Sequence, residues 1–171
     1  FWAQGYGTWG DFDGDGKAAD VSRTLGGFVT GVDAALGGGW RIGIATGYSH
    51  TNLDVSSRLS SAEIDSYHLA AYAGGWLGQF MLRTGASWTW HDIDTERAIV
   101  FPGVVSNADT SYDGETGQVF GEVALPLGTG AVAIEPFAGL AWVHVGTDGF
   151  AESGGLGALT ARSGEDDTGY A

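Results

Sequence analysis

The chain has 171 residues, among them 31 Gly, 7 Trp, 6 Tyr, 8 Phe and no Cys, and its acids outnumber its bases 21 to 7 for a formal charge of −14. The missing cysteines exclude a disulfide scaffold and a thiolate metal site, and the lack of a G-X-Y period excludes collagen. Lys17 and six arginines are too little positive charge for a generic nucleic-acid surface, and the aromatic content sets the chain apart from disordered glycine-rich segments.

The length suits one domain with a sizeable buried interior. No run of about 18 apolar residues offers a spanning helix. The opening Phe1-Trp2-Ala3-Gln4 carries no basic leader region, so the sequence is expected to be an internal piece of a longer protein.

A first strand is expected over about 1–10, followed by an acidic connection over 11–20. A second, over 22–35, ends at the Gly37-Gly38-Gly39 turn. In the third, 40–53, Trp40, Ile42, Ile44, Thr46 and Tyr48 alternate with Arg41, Gly43, Ala45, Gly47 and Ser49, a period of two. A connection over 53–63 leads to a fourth strand, 63–76, and a turn at Leu77-Gly78-Gln79. The fifth, 80–94, sets Phe80, Leu82, Thr84, Ala86, Trp88 and Trp90 against Met81, Arg83, Gly85, Ser87, Thr89 and His91. After a long connection over 95–110 come a sixth strand, 111–126, and the Gly128-Thr129-Gly130 turn. The seventh, 131–146, a connection over 147–156 and an eighth, 156–163, complete the pattern. The tail Glu165–Ala171 does not read as a terminal strand.

Tight glycine turns therefore alternate with long polar connections, which is the pattern of an antiparallel up-and-down meander. Most acids fall in or beside the long connections, and the glycine turns carry no charge. Asp33, Arg41, Arg83, Glu122 and Glu135 remain inside strands, on the polar parity where it is readable, and are expected to pair across an interior. On the apolar parity, Trp40 and Tyr48 stand eight residues apart, as do Phe80 and Trp88. Eight residues make about 26 Å of strand, and a tilt of about 40° reduces this to roughly 20 Å, close to the band of a transmembrane barrel. These four rings and Trp142 are accordingly expected at the two membrane interfaces. The large parity then faces lipid and the small, polar parity a lumen, whereas a soluble barrel would turn the rings inward.

Three motifs point elsewhere and are read as incidental. Asp11, Asp13, Asp15 and Gly16 begin like a calcium loop, but the twelfth position is Ser22 where a bidentate Glu is needed. Gly5, Gly7 and Gly10 spell G-x-G-x-x-G inside a strand, with no helix to follow. His91, Asp92 and Asp94, with His144 and Asp148, are a conceivable water-activating rim group. No Ser-centred nucleophile elbow occurs.

The same residues resemble the translocator domain of bacterial autotransporters. The matching stretches are Trp2-Ala3-Gln4-Gly5, Asp11-x-Asp13-Gly14-Asp15-Gly16, Gly31-Val32-Asp33, Trp40-Arg41-x-Gly43-x-Ala45-x-Gly47-Tyr48 and Asp65-Ser66-Tyr67-His68-Leu69-x-x-Tyr72. They continue with Trp90-His91-Asp92-x-Asp94-x-x-Arg97, Phe120-Gly121-Glu122, Glu135-Pro136-Phe137-Ala138-Gly139-Leu140-Ala141 and Phe150-x-Glu152-x-Gly154-Gly155-x-x-Ala158-Leu159. The resemblance implies an all-β, twelve-stranded outer-membrane barrel, of which residues 1–171 hold about eight strands. The passenger, the lumen helix and the C-terminal strands are then absent from this incomplete barrel, whose open edges favour aggregation in isolation. It further implies type V secretion, with an N-terminal passenger covalently attached, the long acidic loops outside the cell and no enzymatic activity or cofactor. The implied partners are outer-membrane lipids, periplasmic chaperones and the barrel-assembly machinery, with no nucleic acid. A small anchor or adhesin-like barrel that binds ligands through its acidic loops is the alternative, and a rim-type protease a more distant one.

Overall fold

The computed structural model describes residues 1–12, 20–55, 60–101, 104–129, 132–154 and 158–171. In chain order the strands are β1 (Trp2–Phe12), β2 (Val21–Leu36), β3 (Trp40–Val55), β4 (Ser60–Leu77), β5 (Phe80–Phe101), β6 (Val104–Ala124) and β7 (Leu127–Thr129). They continue as β8 (Val132–Ile134), β9 (Phe137–Thr147), β10 (Phe150–Ala151), β11 (Ser153–Gly154), β12 (Thr160–Ala161) and β13 (Gly164–Tyr170). Eight long strands pair antiparallel in the order β1-β2-β3-β4-β5-β6-β9-β13, and β11 joins beside β6. β7 with β8 and β10 with β12 form two separate small ribbons. Among the described residues β1 pairs only with β2 and β13 only with β9, so the sheet is open at both edges. The only helical element described is the 3-10 turn Gly37–Gly39.

Three expected boundaries are corrected. The connection expected over 95–110 is instead the end of a long hairpin, paired from Met81↔Ala124 to Phe101↔Val104. A strand that continues beyond a bilayer needs no apolar face, so its period of two vanishes while its ladder persists. The seventh strand is broken at Glu135-Pro136, because proline has no N–H for the ladder; Leu125 N–H donates to Pro136 O at 2.9 Å across the break. The eighth strand is not 156–163. It is β13, paired from Gly164↔Thr147 to Tyr170↔Ala141, so the acidic tail does form a strand. Of the calcium-like stretch, Asp11 and Ser22 are cross-strand partners on β1 and β2, with Ser22 Oγ donating to Asp11 Oδ1 at 2.8 Å, and Asp13, Asp15 and Gly16 lie outside the described residues.

Direct cross-strand partners share a face of the sheet. One face carries Val32, Ile42, Ile44, Leu69, Leu82, Val119, Val123 and Leu140; the other carries Asp33, Arg41, Ser49, Ser66, His68, Arg83, His91 and Glu122. Among the described residues no second layer covers the apolar face, and the polar face is covered at one end by residues 150–152. Among the described residues no large side chain is fully buried, and the buried apolar residues are the small Ala45, Ala108 and Ala124. A soluble protein of this size buries branched and aromatic side chains in a core, so this sheet draws its hydrophobic stabilisation from elsewhere.

Glycine and aromatic residues are matched in space. Trp2 pairs directly with Gly31, Tyr6 with Gly27, Tyr72 with Gly43, Phe120 with Gly85 and Trp88 with Gly117. In each pair the ring lies across the bare glycine, where an added Cβ would come within less than 3.0 Å of it; Trp40 covers Gly75 in the same way. Each ring thus gains packing area from the neighbouring backbone, which compensates for the missing glycine side chain.

Candidate functional site: the two faces and the outer strap

Rings on the apolar face trace a line across the sheet. It runs from Trp9 through Tyr48, Tyr67 and Trp88 to Trp142. Trp9 is in register with Asn52 of β3 and Trp142 with Ile44, so the line drops eight residues across six strand-to-strand steps. At about 3.3 Å per residue and about 4.8 Å per strand, that is a slope of roughly 42° to the hydrogen-bonded rows. Strands of outer-membrane barrels tilt by about 35–45°, so the line is level when the strands carry that tilt. Phe28 and Trp90 extend it, in direct register with Tyr48 and Tyr67.

Charge divides at this line. Among the described strand residues of the apolar face, every charged side chain, from Asp11 on β1 to Asp167 on β13, lies on the side away from the glycine turns. None of them is Lys or Arg. Between the line and the turns the face holds apolar, Thr and Gly residues, with Trp40 and Phe80 at its far border.

The polar face has three hydrogen-bonded groups. Nearest the turns, Arg41 pairs with Asp33, while Arg83 donates to Glu122 at 2.5 Å and to Glu135 at 3.0 Å. Trp2 Nε1 donates to Tyr72 Oη at 2.8 Å, tying β1 to β4. The five charged residues singled out in the sequence thus form two separate clusters. Midway along the strands two chains run diagonally: Ser49–His68–Thr89, each link 3.0 Å, and Ser66–His91–Thr116, at 2.8 and 3.0 Å. Ser49 and Ser66 are 5% exposed, and each hydroxyl is hydrogen-bonded to a histidine ring. The conceivable rim group is split. His91 lies on the polar face, Asp92 and Asp94 on the other, and His144 pairs with Asp167 at 2.9 Å. No group of three potential metal ligands occurs among the described residues.

The third group is at the outer end. Arg97 donates from Nη2 to Glu152 Oε2 at 2.6 Å and from Nε to Oε1 at 3.3 Å, and Leu159 N–H donates to the same carboxylate at 2.8 Å. Phe150 stacks on Tyr112 with centroids 4.8 Å apart, and Thr110 Oγ1 donates to Ala151 O at 3.4 Å. This strap is missed by periodicity, because Arg97 and Glu152 lie 55 residues apart in segments without an apolar face. Their only signal is their place in the two quoted motifs.

The Arg97 guanidinium, helped by the Leu159 amide, holds Glu152 below the ordinary carboxylate range. A depressed native value stabilises the docked strap above the ordinary Glu range near about 4.3 and loses that contribution as pH falls through the depressed value. The Leu159 amide resonance is therefore expected to follow the Glu152 carboxyl, with a midpoint below that of an ordinary Glu, in the native protein and to stay constant in Glu152→Gln. An unchanged resonance in the native protein contradicts the arrangement.

Comparison with known proteins places this geometry. A family model described as the autotransporter beta-domain matches residues 1–171. Two proteins of Serratia marcescens, both called extracellular serine protease, are 37% and 34% identical over 158 residues, 92% of this chain. The chain spans only 15% of the length of each. Among solved structures, the translocator domain of autotransporter NalP from Neisseria meningitidis superposes with a TM-score of 0.78 at 20% identity, over 98% of this chain and 56% of that one.

Proposed function

The chain belongs to the autotransporter β-domain family of outer-membrane barrels, and from that premise we propose that it is part of the pore wall through which an N-terminal passenger of the same polypeptide reaches the cell surface. The apolar face meets lipid, with Tyr48, Trp88 and Trp142 at the outer interface and Trp40 and Phe80 at the inner one. The observation that carries this is the charge-free band bounded by the sloping line of rings. An uncovered apolar face without charges is costly in water and favourable in a bilayer.

The polar face is the lumen surface. Asp33 with Arg41, and Glu122 and Glu135 with Arg83, are ion-paired there at the inner end, so a passing chain meets paired charges. Outer-membrane lipids, the attached passenger, periplasmic chaperones and the assembly machinery are the partners. The segment is a conduit and not a catalyst. The protease named in the Serratia relatives is a property of proteins of which this segment matches 15%.

Deleting the segment from the full-length protein is expected to abolish surface exposure of the passenger, read by protease digestion of intact cells. Exposure that persists overturns the proposal.

A further inference from the structure

The connection between β9 and β13 leaves and rejoins the sheet at one point, since Gly164 pairs with Thr147. In between, the chain crosses to the polar side of the β5–β6 extension, where Arg97 lies nine residues, about 30 Å of strand, beyond Trp88. We propose that residues 148–154 and 158–163 form a strap latched to the inner side of this extension by Arg97 and Glu152, which swings away when a chain passes the outer mouth. The inference rests on the translocator reading above.

The feet of the strap are adjacent in the sheet, so its described residues can move at the loss of the two-residue β11–β6 pairing while the eight long strands stay paired. Its attachments are short. β10 pairs two residues with β12, and β11 pairs two with β6, Ser153 with Asp109 and Gly154 with Ala108. Ser153 Oγ adds a hydrogen bond to Asp109 O at 3.2 Å. By contrast, the β5–β6 ladder beneath runs from Met81 to Phe101. Segments held by few ladder bonds open before the strands they rest on.

The latch is also built to release. Docked, the Glu152 side chain is 9% exposed and gripped by three donors. Undocked, both Arg97, 34% exposed already, and Glu152 pass into water, so opening strands no charge in an apolar place. Without Arg97 or Glu152 the described strap residues keep the Tyr112–Phe150 stack, the short ladders and single hydrogen bonds at Asp148, Ala151 and Ser153, but no ion pair to β5.

The test uses the full-length protein. Asp109 and Ser153 are direct antiparallel partners, a spacing of about 4.5–5.5 Å that admits a disulfide, and this segment has no native cysteine. With Asp109→Cys and Ser153→Cys combined, the oxidising periplasm locks the strap. Passenger exposure should then fall at least fivefold and recover when cells are grown with a membrane-permeant reductant. In Glu152→Gln, trypsin cleavage after Arg162 should accelerate at least threefold while the passenger is still exported. Equal export with and without reductant, in a barrel shown to be cross-linked and folded by gel migration, overturns the moving strap. If the double variant does not fold, unchanged cleavage in Glu152→Gln overturns the latch. Failure of the unmodified protein to expose its passenger would count against the translocator reading instead.

Discussion

Gly27→Val is expected to prevent stable assembly of the sheet, whereas Gly26→Ala, one residue away, is expected to be tolerated. At Gly27 an added Cβ would lie 2.7 Å from Tyr48 O, 2.8 Å from Ser49 Cβ and 2.8 Å from Tyr6 Cζ. The first belongs to the backbone of β3 and the second to a side chain that is 5% exposed and bonded to His68. Only the Tyr6 ring can yield, so a branched side chain must push β2 away from β3. Overpacking of this kind costs about 1–3 kcal/mol, with further loss as the ladder opens. At Gly26 nothing lies within 4 Å of the added atom, and the expected change is within about 0.5 kcal/mol. Urea unfolding of the full-length barrel, followed by gel migration, measures both. Equal effects at the two positions would mean that the ring–glycine pairing does not set strand spacing.

Ala71→Arg carries the second large effect. Ala71 lies on the apolar face of β4, four residues from Tyr67 toward the glycine turns, in register with Ile44 and Ala86, and is exposed. An arginine facing lipid near the middle of the bilayer costs about 2–4 kcal/mol in a barrel wall. Its neighbour Ala70 faces the other way, beside Ala45 and Ser87, so Ala70→Arg adds a hydrated lumen charge and is expected to cost less than about 1 kcal/mol. The ratio between neighbours matters more than either number, because propensity and position along the strand are nearly the same for both. Folded fractions in bilayers across a urea series give the comparison.

Much of this was legible in the sequence where both faces lie within the band. In β3 and the lower half of β5, large and small residues alternate because one side meets apolar surroundings and the other does not. Beyond the ring line that contrast ends. Asp92, Asp94 and Glu96 stand on the same face as Trp88 and Trp90, so the period lost its meaning, and the outer half of the β5–β6 hairpin read as a loop. β13 was missed for the same reason: Glu165 and Asp167 continue the apolar-face parity with charges. The partners of Arg41 and Arg83 required the register, since parity gives the face but not which residues meet. The abundance of glycine and rings was plain from composition. Their pairing, Tyr72 over Gly43 or Trp2 over Gly31, appears only once neighbouring strands are aligned.

The orientation of the two faces is the claim on which the rest depends. It is tested most directly by attaching a nitroxide at Ala71→Cys and, separately, at Ala70→Cys in the full-length barrel reconstituted in bilayers. Collision with oxygen dissolved in the lipid should dominate relaxation at position 71, and collision with a water-soluble nickel chelate should dominate at position 70. The opposite pattern, or equal chelate access at both positions, would contradict a lipid-facing apolar face and a polar lumen.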